Sequence, residues 1–265
     1  MDHFLYRDGC LHAEDVAISQ IAAEVGTPFY LYSSATLLRH FKLFDDALAG
    51  MDHLICYAMK AASNQAILTL LGAAGAGMDV VSGGEYARAR AAGIPGDRIV
   101  FSGVGKTRAE MTEVLTGGVR QFNVESEPEM RVLSEVASML GKTAPITIRV
   151  NPDVDAKTHP YISTGLKDNK FGIAIDDVVP VYQHIAGSDH LKVMGVDCHI
   201  GSQITELAPF LEAMTKIIEL VDSLEADGIT LEHIDLGGGI GVVYKDEEAI
   251  NLDTFAASVL QLLGH

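Results

Sequence analysis

Residues 55–64 read Ile-Cys-Tyr-Ala-Met-Lys-Ala-Ala-Ser-Asn, an apolar run that ends in one lysine and then in small polar residues. The apolar part is typical of a buried parallel strand, and Ser63 and Asn64 precede a helical pattern. Lys60 therefore lies where the strand ends. Burial there would lower the pKa of its amine, and a neutral amine attacks carbonyl groups. On this decapeptide alone, a lysine that reaches solvent or forms an ion pair is the simpler explanation.

The strand-like run recurs six more times along the chain. The further runs occupy residues 78–81, 99–101, 121–124, 146–150, 193–198 and 234–236. A helical pattern, or a long loop and a helix, follows each of them. Seven such units in a row predict an α/β fold with a parallel sheet and favour a TIM-type (β/α)8 barrel over an open doubly wound sheet. No eighth run precedes His265, so either the sequence stops before the eighth strand or the sheet is open.

A different pattern precedes these units. Apolar residues at helical spacing predict a helix over residues 12–25, and a short strand is predicted over residues 28–32. An amphipathic helix over residues 36–48 then leads into the repeating units. We therefore divide the chain into an N-terminal segment, residues 1–34, and an incomplete barrel, residues 35–265.

Composition argues against several classes of partner. The chain has 36 acidic and 19 basic residues and a formal charge of −17, so it lacks the positive surface that binds nucleic acid or an anionic membrane. Three scattered cysteines, Cys10, Cys56 and Cys198, indicate neither a disulfide framework nor a zinc site. The sequence has no signal peptide and no apolar run of membrane-spanning length, so we expect a cytoplasmic protein.

Polar side chains and glycines collect at the predicted carboxyl ends of the strands. In a parallel sheet these ends share one face, and barrels place their active sites on that face. The residues expected there are Lys60, Asp79, Ser82, Arg149, His199, Ser202 and Gly237–Gly239. Metal ligands at helical spacing and a Gly-x-Ser-x-Gly elbow do not occur in the sequence, so it predicts neither a metal site nor a serine nucleophile.

Two explanations fit each of these features. His199 is either a flat ring that stacks on an aromatic cofactor or a satisfied histidine near the core, and Ser202 would donate to a phosphate. Asp79 and Arg149 either serve a ligand or simply pair with each other. Residues 235–241, Asp-Leu-Gly-Gly-Gly-Ile-Gly, either present backbone N–H groups to a phosphate or form a structural turn. Their spacing does not match the dinucleotide fingerprint Gly-x-Gly-x-x-Gly.

Four motifs, in this order, resemble those of the pyridoxal-phosphate-dependent decarboxylases with an alanine-racemase-like barrel. They are Tyr57–Asn64, Asp79–Glu85, His199–Gln203 and Gly237–Gly239. Within that family, Thr158–Gly165, Lys170–Ile173 and Gln203 are similar to the members that act on diaminopimelate, whereas ornithine-type relatives usually differ there. The resemblance covers nearly the whole chain. It implies a homodimeric enzyme that converts meso-2,6-diaminopimelate to L-lysine and CO2 with pyridoxal 5'-phosphate.

The resemblance also implies a role for each matching position. The cofactor-binding residues are then Lys60, Asp79, Arg149, His199, Ser202, Gly238 and Gly239, of which Lys60 and His199 are catalytic. Lys60 would hold the cofactor covalently, and His199 would stack on its pyridine ring. The phosphate would lie on Ser202 and the two glycines, while the remaining two residues would order the site around the lysine. Lys170 would lie in the dimer interface.

The sequence also departs from the family. The Glu-Pro-Gly-Arg segment of the eighth strand and the C-terminal β domain have no counterpart in residues 1–265, and Val242-Val243-Tyr244 differs from the usual Ile-Pro-Tyr. We therefore expect most of a barrel from a longer enzyme, inactive by itself. The alternatives are a relative that decarboxylates ornithine, arginine or carboxynorspermidine, a racemase, and a non-catalytic pyridoxal-phosphate-binding barrel.

Overall fold

The computed structural model describes residues 3–156, 171–244 and 248–264. Its strands are β1 Phe4–Arg7, β2 Cys10–Ala13, β3 Val16–Ala17, β4 Cys56–Ala58, β5 Gly77–Val80, β6 Ile99–Phe101, β7 Gln121–Val124, β8 Ala144–Asn151, β9 Ile173–Ala174, β10 Leu191–Asp197 and β11 His233–Asp235. Its helices are α1 Ile18–Val25, α2 Ser34–Ala47, α3 Gln65–Ala74, α4 Gly83–Ala91, α5 Arg108–Gly117, α6 Glu127–Leu140, α7 Val178–Ala186, α8 Ala208–Ala226 and α9 Leu252–Leu262. Among the helices of these described ranges, none has the length and apolar character needed to cross a bilayer.

Seven parallel strands form the main sheet in the order β4-β5-β6-β7-β8-β10-β11, and β9 pairs with β8. The order follows the chain without a reversal, as in a (β/α)8 barrel and unlike a doubly wound sheet. A hydrogen bond of 3.2 Å from Asn123 Nδ2 on β7 to Asp235 Oδ2 on β11 shows that the sheet is curled. In a flat sheet, three strand spacings would separate those strands by about 14 Å. The predicted TIM-type α/β fold is confirmed in these seven strands.

Side chains alternate across this sheet between an apolar face and a polar face. On β7, Phe122 and Val124 are fully buried in the core, and the Phe122 ring centroid lies 5.8 Å from that of Phe101 on β6. Gln121 and Asn123 lie on the opposite face, where the Gln121 amide donates to Asn123 Oδ1. The period of two follows from the strand pleat. The inside of the curled sheet is therefore polar here, while its outside packs on the helices.

The structure of residues 3–33 corrects the predicted helix over residues 12–25 and strand over residues 28–32. Strands β1, β2 and β3 form a small antiparallel sheet, α1 begins only at Ile18, and residues 28–32 form no strand. The hairpin between β1 and β2 turns at Asp8 and Gly9, whose φ values of 49° and 76° are both positive. That is the type I′ turn for which Asp-Gly is a strong signal. The signal was present, but the helical spacing downstream concealed it.

Glu14 ties this N-terminal sheet to the start of α2. Its Oε1 atom accepts hydrogen bonds from the Ser33 hydroxyl at 2.8 Å, the Ser34 hydroxyl at 3.0 Å and the Ala35 N–H at 2.9 Å. The Ala35 bond, followed by the two serine bonds, lowers the pKa of the Glu14 carboxyl. A carboxylate at this position complements the unpaired N–H groups and the dipole of a helix N-terminus.

Lys106 is a fully buried cation that joins three elements at the carboxyl edge of the sheet. Its Nζ atom donates to the Gly103 carbonyl at 2.6 Å, the Asn123 carbonyl at 2.7 Å and Glu129 Oε1 at 2.7 Å. The side chain has no exposed surface, and that of Glu129 is 9% exposed. The other Glu129 oxygen accepts the N–H of Glu125 at 3.0 Å. The loop after β6, the end of β7 and the start of α6 are thus held together by one ammonium group.

Replacing Lys106 by methionine should destabilise the protein strongly. The substitution leaves the Glu129 carboxylate and two carbonyl groups buried without their partner, which costs about 3–5 kcal/mol in free energy of unfolding. Arg108→Met is the matched control, because Arg108 pairs with Glu135 at the surface, where both side chains are more than half exposed, and such pairs contribute less than about 1 kcal/mol. Urea unfolding of both variants measures the difference. Equal losses would contradict the importance of the buried pair.

Candidate active site

Lys60 lies in a single 3-10 turn, Met59–Ala61, directly after β4. Met59 is fully buried below the turn, whereas Lys60 is exposed. The burial expected for Lys60 from the sequence is therefore wrong, because the strand ends before the lysine and the turn directs it outward. Within the described ranges its ammonium group has neither a hydrogen bond nor an ion pair, so the ion-pair explanation is not supported. Asn64 caps the following helix α3, accepting the Ala66 N–H at 2.9 Å.

Asp79 lies on β5 next to β4, in register with Ala58. The pKa of its carboxyl is raised to about 6, chiefly by burial and also by the charge of Asp235, while the Ser102 hydroxyl and Lys60 act in the opposite direction. Its Oδ1 atom is buried and has no hydrogen-bond partner among the described residues. An unpartnered buried oxygen of this kind indicates a place for a further polar group.

Arg149 does not pair with Asp79, contrary to one expectation from the sequence. Its Nη1 atom donates to Glu125 Oε1 at 3.1 Å, and its guanidinium lies 5.1 Å from the centroid of the Phe171 ring. Glu125 is a residue that sequence reasoning missed, although it directly follows β7 and so lies at the carboxyl edge of the sheet. Its other oxygen, Oε2, is buried without a partner in the part of the chain that the structure describes.

His199 follows β10 and is held in a defined protonation state. Its Nδ1 atom faces the N–H of Gly238 at 3.2 Å, so Nδ1 accepts and carries no proton. Burial, followed by the charges of Arg149 and Lys60, lowers the pKa of His199 to about 4. The imidazole is therefore neutral near pH 7, with its proton on Nε2. Arg149 lies beside this residue, with its Nη2 atom 3.5 Å from the His199 carbonyl oxygen.

Two loops at this edge are hydrogen-bonded along their length. We call residues 198–204 the histidine loop and residues 236–242 the glycine loop. Backbone hydrogen bonds run from Cys198 N to Asp235 O at 3.0 Å, from Ile204 N to Gly239 O at 2.8 Å and from Gly241 N to Ile204 O at 2.8 Å. Asp235, at the end of β11, also accepts the Gly237 N–H through Oδ1 at 2.9 Å. The position of the glycine loop is therefore fixed against the histidine loop.

The glycines of these loops form a cradle that is open at Gly238, because Gly237 and Gly239 allow the two backbones to pack closely on either side of it. Gly237 and Gly239 have φ values of 63° and 105°, which favour glycine, and a Cβ on Gly239 would lie 2.0 Å from the Gly201 carbonyl oxygen. Gly238 is exposed, with open space where a Cβ would be, and Ser202 is exposed beside it in the histidine loop. Such close backbone approach suits an anion such as phosphate. The Gly238 N–H is already engaged by His199, so Gly238 offers space rather than a donor.

Taken together, these residues fit pyridoxal phosphate. An exposed amine, a neutral flat imidazole and a glycine cradle lie at the carboxyl edge of the sheet. At the same edge, the buried Asp79 Oδ1 atom has no hydrogen-bond partner among the described residues. Ser82, also expected at this edge, caps α4 by accepting the Glu85 N–H. Lys170 and most of the loop of residues 153–169 lie outside the described residues. Of the cofactor-binding residues expected from the sequence, all seven lie in or directly after a strand of the main sheet, or in one of the two loops.

Comparison with known proteins also indicates a pyridoxal-phosphate-binding protein. A family model described as "Pyridoxal-dependent decarboxylase, pyridoxal binding domain" matches residues 34–265. The chain is 56% identical over 248 residues to the diaminopimelate decarboxylase of Pseudomonas aeruginosa, covering 94% of this chain and 60% of that protein. It is 52% identical over 264 residues to the diaminopimelate decarboxylase of Vibrio cholerae, covering 99% and 63%. The chain thus spans about three fifths of the length of these relatives.

A solved structure supports the assignment. Diaminopimelate decarboxylase from Helicobacter pylori, crystallised with L-lysine, superposes with a TM-score of 0.91 at 44% sequence identity, covering 93% of this chain and 63% of that one. The resemblance predicted from the four sequence motifs is confirmed. The chain belongs to the pyridoxal-dependent decarboxylases, and residues 34–265 match the pyridoxal-binding domain of that family.

Proposed function

We propose that the protein decarboxylates meso-2,6-diaminopimelate to L-lysine and CO2 with pyridoxal 5'-phosphate. The observation that carries the proposal is the convergence of an exposed Lys60, a neutral His199 and the glycine loop at one edge of the sheet. This arrangement occurs in a chain 56% identical to a diaminopimelate decarboxylase. When bound, pyridoxal phosphate supplies the electron sink that stabilises the carbanion left by the departing CO2.

The residues of this chain then have distinct tasks. Lys60 holds the cofactor covalently, and its exposure leaves its amine open to an incoming aldehyde. His199 offers an uncharged ring face, because its low pKa keeps it neutral at physiological pH. Ser202 donates to the phosphate, Gly238 leaves room for it, and Gly239 lets the loop pack against Gly201 so that this space stays open. Because the His199 ring is neutral, it does not add a positive charge to those of Lys60 and Arg149.

Arg149 and Asp79 set the electrostatics around the lysine. Glu125 fixes the Arg149 guanidinium, whose Nη2 atom lies 3.5 Å from the His199 carbonyl oxygen. Asp79 is poised between its neutral and charged forms near neutral pH, because burial raises its pKa to about 6. We infer that the Asp79 carboxyl helps to orient Lys60. Changing between its neutral and its charged form costs little free energy near this pKa, since each pKa unit corresponds to about 1.4 kcal/mol.

The choice of substrate rests on sequence. The two relatives described above, at 56% and 52% identity, are both diaminopimelate decarboxylases. The segment expected to distinguish them from ornithine-type enzymes, residues 158–173, lies almost wholly outside the described residues. Decarboxylation of ornithine, arginine or carboxynorspermidine is the second candidate, and binding of the cofactor without catalysis is the third.

The proposal extends to organisation and location. Residues 35–265 would form the cofactor-binding barrel and residues 1–34 a separate segment, in line with the family match from residue 34. We infer a homodimer, supported by Val242 and Val243, which are 57% and 51% exposed at the end of the glycine loop. Exposed apolar residues of this kind favour a covering partner. Three unpaired cysteines and the acidic charge support a cytoplasmic location.

Lys60→Ala should abolish lysine formation. Removing the amine removes the covalent attachment of the cofactor, and we expect the rate to fall by more than about a hundredfold. The measurement is release of L-lysine and CO2 from meso-diaminopimelate by the natural protein at its natural length, with ornithine and arginine tested in parallel. Lys192→Ala is the control, because Lys192 pairs with Glu232 at the surface. Faster turnover of ornithine or arginine, or full activity of Lys60→Ala, would contradict the proposal.

Asp79→Asn should stabilise the cofactor-free protein more at pH 8 than at pH 5. The folded-state pKa of about 6 exceeds the ordinary value of 3.8, so stability is highest below about pH 3.8 and falls progressively until about pH 6, with part of the loss already present at pH 5. The asparagine variant escapes that loss, which amounts to at most about 3 kcal/mol. Urea unfolding at both pH values measures it. Asp97→Asn, at an exposed position, is the control, and an equal change in both variants would refute a raised Asp79 pKa.

A further inference from the structure

Gln203 joins the end of the histidine loop to the end of the glycine loop through its side chain. Its Nε2 atom donates to the Val242 carbonyl, and its Oε1 atom accepts the Val242 N–H at 3.0 Å. Both polar atoms of the amide are therefore bonded to the backbone of one residue. One donor and one lone pair of the amide are thus used to hold the glycine loop.

The backbone of Gln203 adopts an uncommon conformation to make this contact. Its φ value is 57°, in the left-handed region that glycine favours and that costs other residues about 1–2 kcal/mol. Such conformations persist where the surroundings impose them, and they cluster at functional sites. The next residue, Ile204, forms backbone hydrogen bonds with Gly239 and Gly241. The uncommon φ therefore allows the Gln203 side chain and the Ile204 backbone to contact the same glycine loop.

The contact between Gln203 and Val242 is close along the chain to the glycines of the cradle and to His199. The glycine loop between Gly239 and Val242 is fixed by Ile204 and Gln203, and one residue earlier Gly238 donates to His199 Nδ1. Without the hydrogen bonds between Gln203 and Val242, the glycine loop could move away from the histidine loop. The cradle of Gly238 and Gly239 would then lose its fixed position against the histidine loop, whereas the amine of Lys60, in the turn after β4, belongs to a different element.

We propose that Gln203 is a positioning residue that locks the glycine loop in the shape that binds the cofactor phosphate. The inference rests on the proposed function, because it assumes that the phosphate lies in this cradle. It assigns the amide no contact with cofactor or substrate. Its specific consequence is that removing the amide weakens binding of the phosphate-bearing cofactor and leaves the reaction of the aldehyde with Lys60 intact.

The test compares pyridoxal phosphate with pyridoxal, which has the aldehyde but no phosphate. Each is titrated into the cofactor-depleted natural protein, and the absorbance change that is lost in Lys60→Ala reports binding. Gln203→Met keeps the length of the side chain without its polar atoms, and we expect about tenfold weaker binding of pyridoxal phosphate, equivalent to about 1.4 kcal/mol. Binding of pyridoxal should stay within about twofold. Gln203→Glu loses the donor, sets a carboxylate oxygen against the Val242 carbonyl and adds a negative charge near the phosphate, so it should weaken pyridoxal phosphate binding at least as much as methionine does.

Gln183→Met is the matched control, since the Gln183 amide donates to Asp227 Oδ2 at the surface, between α7 and the end of α8. It should change neither affinity. Equal weakening of both ligands by Gln203→Met, or no weakening of either, would overturn the positioning role while leaving the proposed function in place. If the wild-type protein itself bound pyridoxal as tightly as pyridoxal phosphate, the phosphate cradle and the proposed function would fail together.

Discussion

The hydrogen bond between Asn123 and Asp235 joins strands three places apart, and the site depends on the curvature that makes this contact possible. In a flat sheet the carboxyl ends of β4 and β11 would lie about 28 Å apart, six strand spacings away from each other. Curling brings Lys60 from one edge strand and the glycine loop from the other to one place. Asp235 serves both parts, because one oxygen binds Asn123 inside the sheet and the other binds the Gly237 N–H of the glycine loop.

The chain has a formal charge of −17 and yet presents two cations, Lys60 and Arg149, at one edge of the sheet. The polar inner face of the sheet accommodates them. The inner residues bond to one another, as Gln121 does to Asn123, so their cost of burial is partly offset. Glu125 balances Arg149, and Glu129 balances Lys106 at the same edge. Lys60 is the exception, without a partner among the described residues, and an amine with no such partner is open to a covalent ligand.

The regular part of the fold was readable from the sequence because its signals are local. Ser82 was expected at the carboxyl end of a strand, and there its side chain caps the helix that follows. The N-terminal hairpin was missed although Asp8 and Gly9 signal it, since a short apolar period was given more weight than the turn. Helix α2, predicted over residues 36–48, was found at Ser34–Ala47.

The places of the expected site residues in the fold were predictable from the sequence, but their contacts were not. Position at the carboxyl end of a strand identified Lys60, Arg149 and His199, but pairing depends on three-dimensional distances that a sequence does not contain. Arg149 therefore had Asp79 as its expected partner and has Glu125 instead. The exposure of Lys60 depends on a single 3-10 turn, and the positive φ of Gln203 on contacts with a loop about 35 residues later.

The central claim is that Lys60 is the amine that holds the cofactor. Incubation of the natural protein with pyridoxal phosphate, reduction with borohydride, proteolysis and mass spectrometry would locate the covalently attached group. The account predicts a single modified peptide, with the modification on Lys60. Modification of a different lysine, or of none, would contradict it.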